Sequence, residues 1–497
     1  MSSPQDRPDK TTPDRAQTYP VGGQLKVLSQ ASIEAIHDGA LHLLETVGLS
    51  NATPGGIAAM TARGATLGED GRIRFPRRLV ESVLDGAGRG FTLHGRQPRH
   101  DLKLGGGRVH YGTAGSAVQF LEPATGERRE SRLADLYDAA RIADTLDHVH
   151  FFQRPMVARD IADPLAMDIN TLYACLSGTA KHVGLSFAAR EHVAPALELM
   201  HMVAGSEAAF RQRPFVSNSN AFVISPLQFA GEACGVLEAC VAGGLPILLL
   251  CIGQAGTSAP RSLAGAVTQT IAEVLAGLIY VNSLRPGHPA ILGAWPFAAD
   301  PRSGGVASGS AEQALLSAAC AQMARFYDIP GGSGAGMTDA PNLDHQSGAE
   351  KSLTEIVAGF SGLDLVYEAA GMQASLSTYS HESLIIDNDI IGQCLRCIEG
   401  IAAEPRDLAL AQIEAVCLGG PGHFLEDAEA ASTFHAPRLA SRADATPFEA
   451  SLIEKAEAEK NRLLARHFPR HIASQTDARI REHFAELIAL PREQMGF

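Results

Sequence analysis

Between residues 105 and 380 the chain repeats one pattern: a short apolar or β-branched run, a polar or Gly-rich segment, then a helical stretch. Eight such runs stand out, at 109–112, 149–153, 182–186, 215–219, 247–252, 290–294, 329–334 and 363–368. Helical stretches at 132–146, 193–203, 228–241, 263–283 and 311–327 lie between them. Continuous apolar strands alternating with helices are the pattern of a parallel sheet buried on both faces. Eight units in about 260 residues predict an α/β chain whose strands close into a (β/α)8 TIM barrel. An open doubly wound sheet is the alternative, because one sequence does not give strand order.

The flanks read differently. Residues 1–24 are polar and Pro-rich, the composition of a disordered tail. Residues 25–104 predict an α-rich N-terminal domain, with helices at 30–47, 55–63 and 77–84 and a strand at 72–75. The barrel is expected over 105–380. A helical C-terminal subdomain is expected over 381–497, with helices at 384–401, 408–418, 446–468 and 476–488.

Charge and composition exclude several classes. A net charge of −14 with no basic block argues against nucleic acid and anionic membrane as partners. The densest apolar run, 246–252, is far below the ~20 residues of a membrane span. The N-terminus has no apolar signal-peptide core. Eight cysteines in 497 residues are too sparse for a disulfide framework, so a reducing cytoplasm is expected.

A barrel carries its chemistry at the C-terminal ends of its strands. Those ends bring Tyr111, Arg154, Asn220, Trp295, Phe297, Tyr367 and Glu368 into consideration, with the run Gly332, Gly334, Gly336 and Asp339 after strand seven. Most of these strand-end segments are small or amide-bearing, and few residues are charged. Small residues let something large and flat approach. Aromatics with one carboxylate suit a cation without protons to give. Glu368 at the end of a buried strand needs a partner or a purpose. The polar loop holding Asp339 and Gln346 reads as ligand contact or as a helix cap. The glycine run lacks a P-loop Lys-Ser/Thr and the full dinucleotide pattern. His148, His150 and His182 could make a metal set, but the first two start a strand, the wrong end for chemistry. Cys394 and Cys397 form one Cys-x-x-Cys with no second pair, which reads as structural thiols.

The same segments carry a resemblance. Tyr111-Gly112-Thr113-Ala114-Gly115, Lys181-His182, Ser225-Pro226-Leu227 and Gly253-Gln254-Ala255-Gly256-Thr257-Ser258-Ala259-Pro260 are part of it. So are Gly309-Ser310-Ala311-Glu312, Thr338-Asp339, Asp344-His345-Gln346 and Asp387-Asn388. With these the chain resembles the trimethylamine methyltransferase family of corrinoid-protein methyltransferases, over about residues 25–468. The resemblance implies a barrel fold and methyl transfer to the Co(I) of a corrinoid (cobalamin) carried by a partner protein, with no tightly bound cofactor of its own. Trimethylamine-demethylating members carry pyrrolysine; this chain has only standard residues, the corresponding position falling in 337–346 near Pro341 or Asn342. That likens it to the non-pyrrolysine branch, some members of which demethylate glycine betaine. The segment Thr446-Pro447-Phe448 departs from the family's usual aromatic.

A quaternary ammonium has a neutral leaving group and needs no proton, only orientation and desolvation. Cage roles therefore fall to Tyr111, Trp295, Phe297 and Tyr367, charge balance to Glu368, and polar orientation to Gln346 and Asn220. Arg154, His182 or Asn220 would meet a substrate carboxylate. Gly332, Gly334, Gly336 and Asp339 would contact the corrinoid. A homo-oligomer is expected. A metal-dependent barrel lyase or hydrolase and a non-catalytic amine-binding paralogue are the alternatives.

Overall fold

The computed structural model describes residues 19–405, 407–424, 439 and 450–491. The Thr446-Pro447-Phe448 segment and most of the expected N-terminal tail lie outside them. The chain is a mixed α/β protein. Eight short parallel strands occur where the alternation predicts them: β1 (His110–Tyr111), β2 (Phe152–Gln153), β3 (Val183–Leu185), β4 (Val216–Asn218), β5 (Ile247–Leu248), β6 (Ala290–Ile291), β7 (Gly332–Gly334) and β8 (Leu365–Tyr367). Each ladder is shorter than its apolar run.

The helices are α1 (Gln30–Thr46), α2 (Pro54–Ala62), α3 (Arg77–Gly86), α4 (Leu133–Asp144), α5 (Pro164–Gly178), α6 (Val193–Ala204), α7 (Glu207–Gln212), α8 (Gly231–Gly243), α9 (Leu263–Leu284), α10 (Ala311–Tyr327), α11 (His345–Phe360), α12 (His381–Glu399), α13 (Leu410–Cys417), α14 (Leu452–Arg466) and α15 (Ser474–His483). Side-chain caps start many of them, among them Ser29, Thr53, Asp163, Ser310, Asp344 and Ser380. α9 is apolar and long enough to cross a membrane by length and composition, a run the 246–252 reading passes over; here it is buried, packed against α1, α2 and α10.

Strands β2 to β6 form one parallel sheet, and β7, β8 and β1 another. Parallel bridges Gly112↔Phe151 and Leu292↔Gly331 link the edges of the two. Period-two alternation sorts side chains into two sets. An inner set holds Phe151, Leu248, Ile291, Trp295, Phe297, Met337, Leu365 and Tyr367. The outer set, packed against helices, includes Tyr111, Phe152, Val183, Leu185, Val216 and Val366. Leu93, Leu102 and Leu104, from a hairpin before β1, close the inner set at the strands' N-terminal end.

Several buried charges outside the two parallel sheets are answered within the chain. Lys181 donates to the carbonyls of Ala143, Leu146 and Val149 at 2.5–2.6 Å, capping the end of α4. Lys351 pairs with Asp387 at 2.6 Å between α11 and α12, and Asp387 also accepts from Gly371 N. After α14 the chain returns to the strands' N-terminal end. There His467 and His471 both bond Asp144, Arg141 reaches the carbonyls of Leu464 and His467, and Arg96 reaches that of His471. Burial alone would raise the Asp144 carboxyl, but these imidazole bonds overcome it and hold it well below the usual range. All eight cysteines are free thiols.

Candidate active site

Three aromatic rings meet at the C-terminal half of the inner set. Trp295 and Tyr367 lie 5.2 Å apart between centroids at 45°, and Phe151 meets Tyr367 edge-on at 4.9 Å. Trp295 Nε1 donates to the carbonyl of Gly332 at 3.0 Å, which fixes the indole. Phe297 and Met337 belong to the same cluster.

Glu368 follows Tyr367 and breaks the alternation. Its parity with Val366 would send it outward. Instead its backbone is left-handed, at φ 61°, a conformation costing a non-glycine residue about 1 kcal/mol or more. The turn brings the carboxyl over Gly334: a Cβ there would lie 2.7 Å from Glu368 Oε2 and 3.1 Å from Met337 Cε. Oε2 is buried and accepts no hydrogen bond. Burial alone pushes this carboxyl up to about 8, with no cation to oppose it. An acid stored neutral beside Met337, next in the chain to Tyr367, can become the counter-ion of an arriving cation.

Of the expected site residues, Trp295, Phe297, Tyr367 and Glu368 come together. The others go elsewhere. Tyr111 belongs to the outer set, its hydroxyl donating to the Glu355 carbonyl on α11 at 2.9 Å. It is therefore not part of the aromatic group. Gln346 is exposed on α11 and bonds Glu350. Asn220 is held at both amide atoms by the Phe187 backbone, clamping the ends of β3 and β4. His182 lies at the start of β3, bonded to His94 O and Ser217 Oγ; burial pushes it down to about 4, so it is no cation for a carboxylate. Arg154 follows inward-facing Gln153 and turns outward toward α5, with Nη2 on Ser116 Oγ at 3.0 Å.

The strand-seven glycines are not open to a flat ligand. Gly332 is filled by the Tyr367 ring, Gly334 by Glu368, and Gly336 by Glu355 and the backbone of Ala369. Asp339 is consumed by Ser308 and Ser375, which it ties together at 2.7–2.8 Å. Pro341 and Asn342 lie at the surface and meet Arg128 from the hairpin after β1. His148 and His150 bond Asn388 and the Tyr111 amide, so the three histidines do not converge; among the described residues no group of three metal-ligating side chains does.

Sequence reasoning missed Phe151, Met337 and Gln153 as members of the inner face. Gln153 was visible at the end of strand two, and so was Phe151, two residues earlier on the same parity. Gln153 Nε2 donates to Ser219 Oγ at 2.5 Å, Ser219 donates to Leu185 O, and Ser186 Oγ is 3.3 Å from Ser219 Oγ. On this parity β3 and β4 are polar, strand two carries both Phe151 and Gln153, and the aromatic residues Trp295 and Tyr367 come after β6 and on β8.

Comparison with known proteins follows the same line. A family model described as trimethylamine methyltransferase (MTTB) matches residues 3–496. Glycine betaine methyltransferase of Desulfitobacterium hafniense (strain Y51) is 29% identical over 93% of this chain and 96% of its own. Trimethylamine methyltransferase MttB1 of Methanosarcina mazei is 30% identical over 80% of this chain and 81% of its own. The solved monomethylamine methyltransferase MtmB of Methanosarcina barkeri has TM-score 0.47 and 14% identity, covering 91% of this chain and 96% of that one.

Proposed function

The chain belongs to the trimethylamine methyltransferase family, and from that premise we propose that it removes a methyl group from a quaternary amine of the glycine betaine kind. The observation that carries the reading is Glu368, whose buried Oε2 has no partner and which a left-handed backbone brings over Gly334 beside Met337, a member of the cluster that holds the aromatic rings. A quaternary nitrogen gives no hydrogen bond and is held by ring faces and one negative charge. Tyr367, Trp295 and Phe151 supply the faces. Glu368 gives up its proton as the cation enters and balances its charge. The apolar surroundings exclude water, so that the methyl group faces only its acceptor.

The methyl acceptor in this reading is the Co(I) of a corrinoid on a separate protein, which supplies the nucleophile. The strand-seven glycines do not fit that group, because the chain's own side chains fill them, and no residue here is assigned to hold it. Exposed Val118, Ile224 and Ile252, which follow β1, β4 and β5, support approach of a partner from that end.

The eight strands are proposed to form one closed barrel. The pairings support it. Carried from Gln153 through Gly184, Ser217, Pro246, Pro289, Asp328, Ser361 and Gly106, the register returns to the second strand at Thr145, eight residues early. A shear of eight is that of the (β/α)8 barrel.

The test is product formation. The protein is mixed with reduced cobalamin, with and without a corrinoid protein, and offered glycine betaine, choline and trimethylamine. The expected result is a tertiary amine from a quaternary substrate and nothing from trimethylamine. No demethylation of any quaternary amine, with a competent corrinoid protein present, would overturn the reading.

A further inference from the structure

The polar side of the inner face is left unused by a bare cation. Within a closed ring of shear eight, positions at one height climb one residue per strand relative to the hydrogen-bonded line. Level with Gln153 on β2 then stand Ser219 after β4, Gly293 after β6 and Tyr367 on β8, the four that face inward from alternate strands. The next layer toward the C-terminal end holds Ala114, Ser186, Leu250 and Gly334, the last under the Glu368 carboxyl. The contacts agree with this layering, since the Gln153 amide lies across Gly184 one layer below, just as Tyr367 lies across Gly332.

Gln153 and Ser219 therefore share a floor with Tyr367, and Ser186 shares a wall with Glu368. Small residues, Gly293 and Ala114, separate the two sides. Gln153 is buried, and one of its two amide hydrogens is spent on Ser219. Ser219 spends its own on Leu185 O. The second Gln153 N–H remains as a donor, and the Ser186 hydroxyl joins it by turning from its long 3.3 Å contact with Ser219 Oγ, with no charged side chain among them.

We propose that Gln153 and Ser186 receive an oxygen-acceptor end of the substrate, a carboxylate, so that the site selects a zwitterionic quaternary amine over a bare tetraalkylammonium. The proposal rests on the amine reading above and names the residues that decide among amines. Neutral donors suit a zwitterion, whose anionic end arrives with its own counter-charge. A site built to bond an oxygen rejects the analogue lacking it, because its donors are then left buried and unpaired.

The experiment is equilibrium binding by calorimetry of glycine betaine and tetramethylammonium, to the wild type, Gln153→Leu and Ser186→Ala. The expected wild-type preference for betaine is about tenfold or more, and both variants shrink that ratio. Ser186→Ala keeps the test valid if Gln153→Leu fails to fold, because Ser186 is only half-buried at the layer's edge. Equal wild-type affinities, or variants that weaken both cations alike, would overturn the selection by these donors while leaving the amine reading intact. Absence of binding by any quaternary cation overturns the amine reading itself and this proposal with it.

Discussion

Glu273 on α9 and Glu368 after β8 are buried to nearly the same depth. Glu273 accepts from Ser225 Oγ and Leu227 N at 2.8 Å, Cys251 Sγ at 2.7 Å and Gln269 Nε2 at 3.2 Å. These bonds tie the loop after β4 and the end of β5 to α9. Glu368 Oε2 has none. Both side chains cost desolvation, but only the first is repaid inside the fold. Burial alone therefore does not separate the two acids; the donors around Glu273 and their absence at Glu368 Oε2 do. Glu273 is complete as it stands, whereas Glu368 is completed by something that enters.

The largest effect belongs to the complete acid. Glu273→Ala leaves four donors unpaired, all but Ser225 Oγ buried, and should cost about 3 kcal/mol or more in a urea titration. Its affinity for a quaternary cation should stay near wild type under conditions where it is folded. If the cation bound far more weakly, the contrast between the two glutamates would collapse.

The reverse pattern is expected of Glu368→Gln. Methyl transfer should fall about 100-fold, the scale of removing one preorganised electrostatic group, with no loss of stability. A second readout sharpens the point through pH. The folded carboxyl titrates near 8, well above an unfolded glutamate. Between roughly pH 4.5 and 8 the folded chain keeps a proton that the unfolded chain has released. Stability should therefore decline as pH rises through that window, and Glu368→Gln should remove that decline, melting several degrees higher than wild type at pH 9 and little differently at pH 5. A quaternary cation should protect the wild type more at pH 8 than at pH 6, releasing a proton at the lower pH. A pH-independent melting difference between the two proteins would show that Glu368 is ionised throughout.

The smallest effect is expected at the rings. Trp295→Phe keeps an aromatic face but loses the bond to Gly332 O and the stronger quadrupole. Cation affinity should weaken about fivefold, or roughly 1 kcal/mol. Tyr111→Phe, whose ring faces α11, should leave that affinity unchanged; a matching loss would mean that the inner and outer sets had been assigned the wrong way round.

The strands and most of the helices were legible because hydrophobic period and length are local properties of the chain. The site was legible only in part. Where a strand is apolar on both faces, the sequence does not say which parity looks inward. Tyr111 and Tyr367 read alike, and the pairing sends one to the helices and the other to the interior. Phe151 was hidden by the same ambiguity. The glycines of 331–336 read as room for a large flat ligand, but a missing Cβ does not name what fills its place, and here Tyr367 and Glu368 do. Asn220 and Asp339 are polar at strand ends for a local reason: they stitch one loop to another. Glu368 could be singled out because no composition-level reason places a carboxylate at the end of Leu365–Tyr367.

The clasp at the strands' N-terminal end has a consequence for synthesis. Asp144, Arg141 and Arg96 leave the ribosome early, and the groups that answer them follow 326, 327 and 375 residues later for Arg141 with His467, Asp144 with His471 and Arg96 with His471. Until that last segment clears the exit tunnel, this base is held by earlier partners alone, Asp138 for Arg141, the Leu176 carbonyl for Arg96, and Thr179 Oγ1 with Ala180 N for Asp144. A nascent chain stalled before residue 464 would present this base to chaperones without its last partners.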